Sequence, residues 1–124
     1  SDFGTDTMGD ALAANVETIE QKPEMVRAFV KATLHAYAYA LEHPDESVKS
    51  LIKRSPTRDA AVAEEKLKAT AKLMTSDVTK EHGIGYSDKA RWEQTQDLMA
   101  EFGGLTKTVD DVSVYYTNDF LPKN

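Results

Sequence analysis

The chain of 124 residues contains no cysteine, which excludes disulfide bonds, thiolate metal sites, cysteine nucleophiles and thiol-based redox switching. It also lacks any apolar run near the roughly 18 residues that a bilayer crossing needs, so no transmembrane helix is predicted. The basic and apolar segments of a secretion signal are likewise not present within it. These absences favour a folded, water-facing chain without thiol chemistry.

Clustered positive charge is a further missing feature. The 15 Lys and Arg residues are scattered among 21 Asp and Glu residues, which leaves a net charge of -6. Nucleic acids and anionic membranes are bound by gathered basic side chains, so we expect neither a nucleic-acid partner nor direct membrane insertion. A hydrophobic fraction of 40% is enough to form a core, and the length fits one domain or part of one.

Hydrophobic periodicity predicts four helices, over about residues 23–42, 44–53, 58–74 and 88–102. The first is the strongest, and its predicted buried stripe comprises Val26, Phe29, Val30, Thr33, Leu34, Tyr37 and Leu41. Pro23 suits a first helical position, and the residue before Pro44 is driven out of the α region. Thr57 is the expected N-cap of the third helix, and Ser87 or Asp88 that of the fourth.

The remaining segments are less regular. The stretch over residues 10–15 is either a short strand or, by its alanines, a helix. Residues 75–86 have no period and are predicted to form a loop that could include one irregular turn. A short turn is expected at Val109–Val112, and residues 113–116 could form a second brief strand. The predicted fold class is therefore mainly α, with four helices and one or two short strands.

No catalytic or metal-binding pattern is found. His35 and His43 are eight residues apart, and His82 lies in another segment, so none has the i, i+3 or i+4 spacing of a helical ligand pair. Gly83 and Gly85 lack the lysine and hydroxyl of a phosphate-binding loop, and no Gly-x-Ser-x-Gly motif is present. We predict no catalytic residue, no metal and no cofactor, and hence no enzyme activity.

An ordered set of phrases spans nearly the whole chain: Asp2–Gly4, Gly9–Asn15, Lys22–Thr33, Leu41–Val48, Thr75–Asp88 with Trp92, and Tyr116–Pro122. Each phrase alone is partly generic amphipathic design, but their order and spacing are more specific. In both respects the chain resembles the C-terminal part of the ABC-transporter periplasmic substrate-binding proteins for sulfonates such as taurine, nitrate and thiamine-pyrimidine precursors.

The resemblance implies a parent protein with two α/β lobes, of which residues 1–124 would be a single C-terminal segment. Such a parent binds a small nutrient between its lobes, delivers it to an ABC permease, and resides in the periplasm or cell envelope. The head of the chain would run near the hinge and cleft. The residues expected to contact the ligand are therefore Asp2, Phe3, Asp6, Thr7 and Met8. An ordinary crossover with a capping aspartate is the other interpretation of these five residues.

Two further expectations concern partners. If the resemblance did not hold, four amphipathic helices with short connections would suit a free-standing helical protein-interaction module. If it holds, the helices would have been shaped to cover parts of a lobe that this chain lacks, and their apolar faces would remain uncovered. We therefore predict that this chain associates with itself as a homo-oligomer.

Overall fold

The computed structural model describes residues 7–122. These residues form α1 (Val16–Gln21), α2 (Pro23–Glu42), α3 (Pro44–Arg54), α4 (Ala60–Met74), α5 (Asp77–His82), α6 (Lys89–Glu101) and a 3₁₀ helix (Val112–Tyr115). No β-strand occurs among them, so the mainly α fold class is confirmed. None of these helices is both long enough and apolar enough to span a bilayer.

Prolines mark both ends of α2, the longest helix. Pro23 occupies its first position, where the missing N–H costs no hydrogen bond, and Glu24 lies near the positive end of the helix dipole. The helix ends at Glu42 because His43 precedes Pro44 and is excluded from the α region; its φ and ψ are -127° and 61°. Pro44 then begins α3.

Aspartate side chains mark the starts of α4 and α6. Asp59 accepts a hydrogen bond of 3.0 Å from the backbone N–H of Val62. The third predicted helix thus begins at residue 60 instead of 58, and Asp59, not Thr57, is its N-cap. Asp88 accepts from the backbone N–H of Arg91 at 3.2 Å, which selects it from the two predicted caps of α6.

The short strand predicted over residues 10–15 is wrong. Residues 7–15 have no regular secondary structure, and α1 begins only after Asn15, whose side chain accepts from the backbone N–H of Glu17 at 2.8 Å. A strand requires a neighbour to pair its backbone groups, and the described residues contain no other strand. The alanine-rich alternative, a helix over the same residues, is also not formed.

Two other irregular segments are helical. Residues 112–115 form the 3₁₀ helix instead of a strand, and Asp111 caps it by accepting from the backbone N–H of Ser113 at 3.0 Å. The segment predicted as a loop contains α5, which begins with a reciprocal capping box between Ser76 and Thr79. A six-residue helix covers less than two turns, so hydrophobic periodicity does not detect it.

The contacts divide the chain into two compact units: unit 1 comprises residues 1–27 and 86–124, and unit 2 comprises residues 28–85. In unit 2, α3 packs on α4, and Val48 is 9% exposed. In unit 1, α6 packs on the 3₁₀ helix, and Val112 is 1% exposed. Within residues 7–122 these two valines are the only buried side chains, so each unit has a very small core.

The predicted buried stripe of α2 is only partly covered. Val30, Leu34 and Leu41 are half-buried, whereas Phe29 is 62% exposed and Tyr37 is 42% exposed. The periodicity identified the apolar positions of the helix correctly. It could not indicate which of these positions remain largely exposed.

Candidate functional site

The head of the chain is anchored to α6. The backbone N–H of Met8 donates a hydrogen bond of 2.8 Å to the Thr95 hydroxyl, which itself donates to the Arg91 carbonyl at 2.7 Å. Met8 is half-buried, and Thr7 beside it is exposed. The other three predicted ligand-contacting residues, Asp2, Phe3 and Asp6, lie outside the described residues.

Two side-chain amides connect the C-terminal segment to the middle of α6 and to Ser87, which precedes the N-cap of α6. Gln96 accepts from the Val109 N–H at 2.9 Å and donates to the Val109 carbonyl at 3.0 Å. Asn118 forms the same two-way pair with Ser87, at 2.9 Å and 3.0 Å. Val109 and Ser87 lie outside any helix or strand. The amide side chains supply the hydrogen bonds that another backbone segment would otherwise make to their N–H and C=O groups.

An aromatic cluster is formed by Trp92 of α6 and two tyrosines of the C-terminal segment. The indole of Trp92 stacks on the ring of Tyr116, with centroids 5.6 Å apart and planes within 6°, and the Tyr115 ring lies 6.0 Å away at 34°. Trp92 Nε1 is buried and has no hydrogen-bond acceptor among the described residues. A buried donor without an acceptor is costly, and an oxygen from a ligand or another protein segment would relieve that cost.

Arg27 ties the start of α2 to the same segment. Its guanidinium donates to the Asp119 carbonyl and lies 5.0 Å from the centroid of the Phe120 ring. Glu24, one turn earlier, places a carboxylate oxygen 3.8 Å from the Arg27 side chain. The arginine therefore combines a hydrogen bond, a cation–π contact and an ion pair, all within unit 1.

The net negative charge of the chain comes from unit 1. It contains six Lys and Arg against 13 Asp and Glu, a net charge of -7, whereas unit 2 contains nine against eight, a net charge of +1. In unit 1 the hydrogen bonds from Ser113 are the main cause that lowers the pKa of Asp111, with a smaller contribution from the charge of Lys89. The net charge of -7 on unit 1 disfavours the binding of a nucleic acid or a phosphate ligand there, because like charges repel.

Unit 2 has a shallow groove of about 590 Å³ between α2 and α3. Its polar side comprises His35, Ser47, Ser50 and a hydrogen bond of 2.5 Å from the Tyr39 hydroxyl to the Glu46 carboxylate. That bond is the main cause that raises the pKa of Tyr39 above its ordinary value. The arrangement offers donors and acceptors to a small polar molecule, but its walls are open to solvent.

No group of three His, Cys, Asp or Glu residues within positions 7–122 is placed to hold a metal ion. His43 stacks obliquely on Tyr39, with centroids 4.4 Å apart, and His82 lies 3.8 Å from Glu81 at the end of α5. Both histidines thus take part in local contacts at helix ends.

Sequence reasoning did not single out Gln96, Asn118 or Arg27 as organising residues. One signal was available: Asn118 lies in the phrase at Tyr116–Pro122 that contributed to the resemblance. Arg27 likewise lies in the phrase at Lys22–Thr33, whereas Gln96 lies in none of the phrases; the partners of Gln96 and Arg27 are 13 and 92 positions away.

Comparison with known proteins gives two matches. Residues 1–47 match the family described as NMT1/THI5 like. The riboflavin-binding protein RibY of Chloroflexus aurantiacus is 31% identical over 116 residues, which cover 91% of this chain and 33% of RibY. The chain thus spans about a third of the length of this curated relative. No solved structure matches it. Both matches agree with the resemblance drawn from the sequence: the chain is similar to the NMT1/THI5-like family over residues 1–47 and to part of a riboflavin-binding protein over nearly its whole length.

Proposed function

We propose that this chain is a segment of a solute-binding protein that captures a small nutrient for uptake by an ABC transporter. The observation that carries the proposal is the 31% identity to a binding protein along 91% of the chain, together with the family match over residues 1–47. The match extends beyond the head into both units, so it does not depend on one short motif.

The ligand class proposed is a small polar or heteroaromatic molecule, held noncovalently and without a cofactor. Sulfonates, nitrate and thiamine-pyrimidine precursors are the candidates from the resemblance, and the relative's name adds riboflavin. Within this chain we assign the ligand contacts to Asp2, Phe3, Asp6, Thr7 and Met8. In support, Met8 is fixed to α6 while the neighbouring Thr7 side chain remains exposed and free to meet a ligand.

The proposal includes two features of the transport system. The protein would be located in the periplasm or cell envelope and would deliver its ligand to an ABC permease by closing around it and reopening. It would not act as an enzyme, since the curated relative is named as a binding protein.

The test uses the protein encoded by the complete gene. Native mass spectrometry would first identify any ligand that copurifies, and isothermal titration with taurine, nitrate, the thiamine-pyrimidine precursor and riboflavin would then measure affinity. We expect one of these to bind with a Kd of about micromolar or below. Asp6→Asn and Thr7→Ala should weaken binding, whereas the matched changes Asp110→Asn and Thr106→Ala should not. A protein that carries no ligand and binds none of the four would contradict the proposal.

The second candidate function is a helical protein-interaction module. The exposed apolar side of α2, with Phe29 62% exposed, is the observation that favours it. Ligand binding distinguishes the two candidates, because an interaction module would bind none of the four compounds and would instead form a complex with another polypeptide.

A further inference from the structure

One face of α6 binds both the head and the tail of the chain. Trp92, Thr95 and Gln96 are three and four residues apart, so their side chains project from the same side of the helix. Trp92 stacks on Tyr116 of the tail, and Gln96 pairs with the Val109 backbone. Thr95, on the same face, binds the head. The helix face that organises the tail therefore also sets the position of the head.

The Thr95 hydroxyl is a fixed acceptor. It donates its only hydrogen to the Arg91 carbonyl at 2.7 Å, one turn earlier in α6, so its lone pairs remain to accept. The bond to Arg91 also restricts the rotation of the Thr95 side chain, which has few rotamers in a helix. The oxygen that accepts from the Met8 N–H at 2.8 Å is thus held in place by the helix. Both hydrogen bonds are partly buried, which shields them from competing water.

The Met8 N–H belongs to the peptide group that joins Thr7 to Met8. This group is planar, so a hydrogen bond to its N–H also restricts the Cα atom of Thr7. Residues 7–15 have no regular secondary structure, and a segment without a backbone ladder otherwise samples many conformations. Within positions 7–122, the Met8 bond is the hydrogen bond that connects residues 7–14 to the rest of the chain, across 87 positions. Thr95 therefore constrains the backbone beside Thr7.

We propose that Thr95 is a positioning residue for the ligand contact assigned to Thr7. The inference rests on the proposed function, because Thr7 contacts a ligand only if the chain belongs to a solute-binding protein. Thr95 does not itself touch the ligand. Its hydroxyl keeps the segment around Thr7 in the binding-competent conformation before the ligand arrives, so that binding energy is not used to order this segment.

The first test compares two Thr95 variants in the protein encoded by the complete gene. Thr95→Val retains the branched shape and loses the hydroxyl, whereas Thr95→Ser retains the hydroxyl. The titrated ligand is whichever of taurine, nitrate, the thiamine-pyrimidine precursor and riboflavin binds the unaltered protein. We expect Thr95→Val to raise its Kd about fivefold, because the loss of one hydrogen bond of ordinary strength lowers the binding-competent fraction by about that factor. Thr95→Ser should stay within about twofold of the unaltered protein.

Thr75→Val is the matched control. The Thr75 hydroxyl donates to the Ala71 carbonyl at 2.9 Å, four residues earlier, as the Thr95 hydroxyl does to Arg91. Thr75 ends α4 in unit 2, whereas the head belongs to unit 1. The control loses a comparable bond to the helix backbone and should change the Kd less than about twofold. Circular dichroism would verify folding, and Thr95→Ala, which favours the helix, replaces Thr95→Val if that variant does not fold.

A double-mutant cycle distinguishes positioning from general support of the fold. In a Thr7→Ala background, the contact that Thr95 is proposed to position is already removed. Thr95→Val should then raise the Kd less than about twofold, so the effects of the two changes are not additive. A residue that merely supported unit 1 would weaken binding by the same factor in both backgrounds.

Hydrogen exchange tests the bond between Met8 and Thr95 without any ligand. Exchange resolved to the Met8 amide should be at least about tenfold faster in Thr95→Val than in the unaltered protein, because the N–H loses its acceptor. Thr95→Ser and Thr75→Val should leave this rate within about twofold.

Three results would overturn the inference. They are an unchanged Kd for Thr95→Val, an equal effect of this variant in the Thr7→Ala background, and unchanged exchange at the Met8 amide. If none of the four compounds binds the unaltered protein, the proposed function fails and the inference fails with it. If a compound binds and Thr95→Val binds it equally well, only the inference fails.

Discussion

The two units of this chain are organised by different kinds of contact. Unit 1 is held by partners far apart in sequence, such as Met8 with Thr95 and Ser87 with Asn118. Unit 2 consists of helices whose caps and pairs are local, with α3 packed on the next helix, α4. Unit 1 is also strongly acidic, and unit 2 is nearly neutral. The comparison shows that the head and the tail of the chain depend on each other, whereas the middle depends mainly on its own neighbours.

The largest expected effect is in the core of unit 1. Val112→Ala should lower the free energy of unfolding by roughly 2 kcal/mol, because this fully enclosed side chain loses its buried methyl groups and leaves a cavity. Denaturant titration followed by the fluorescence of Trp92, the single tryptophan, would measure it. Val114→Ala, at a side chain that is 70% exposed, is the control and should change stability by less than about 0.5 kcal/mol.

The corresponding change in unit 2 sharpens the comparison. Val48→Ala should cost about 1.5 kcal/mol, slightly less because the side chain is not fully enclosed. We expect the unfolding midpoint followed by helical circular dichroism to fall. The midpoint followed by Trp92 fluorescence should change little, since Trp92 belongs to unit 1. Equal shifts of both signals in both variants would instead mean that the units unfold together.

The next largest expected loss of stability follows from removing a side-chain amide that bonds to the backbone. Asn118→Ala should cost about 1 kcal/mol, since it removes both hydrogen bonds to the partly buried Ser87 backbone. Asn118→Asp, which retains the acceptor oxygen but lacks the donor, should fall between this variant and the unaltered protein. Chemical denaturation followed by Trp92 fluorescence would rank the three. A stability of Asn118→Ala equal to that of the unaltered protein would contradict a role for the tie.

The smallest expected effect is a pH dependence in unit 1. The hydrogen bonds from Ser113 lower the pKa of Asp111 in the folded chain below its ordinary value of 3.8. Its contribution to stability is therefore present above about pH 3.8 and is lost as the pH falls through the lowered folded pKa. The stability difference between the unaltered protein and Asp111→Asn should be constant near neutral pH and shrink in acid. Asp110→Asn, which removes a neighbouring charge but none of those hydrogen bonds, is the matched control.

Several elements were predictable from local sequence. The residues that periodicity assigned to the longest helix are those of α2, and Pro23 and Pro44 explain its limits by steric exclusion alone. The sequence also limited the N-cap of α6 to two residues. A cap can be found locally because it acts on backbone groups two or three positions away. By contrast, α5 and the 3₁₀ helix were missed, since segments of six and four residues carry too little periodic signal.

The candidate site was predictable only in part. The resemblance pointed to the head of the chain, and Met8 is indeed tied to α6, although its ligand-binding role stays a prediction. The Trp92 stack on Tyr116 was not anticipated, nor was the burial of Trp92 Nε1 without an acceptor among residues 7–122. Spacing along a chain does not reveal which aromatic rings meet when 24 positions separate them.

The sequence by itself determined the mainly α character of the chain, the ends of its longest helix and its resemblance to substrate-binding proteins. These properties depend on proline sterics, side-chain caps and the order of short phrases, all of which act or can be recognised locally. Only the tertiary structure decided which side of α2 is covered and how the tail attaches to α6. Both outcomes depend on the positions of groups distant in sequence, because burial and hydrogen bonding between them exist only once the chain has folded.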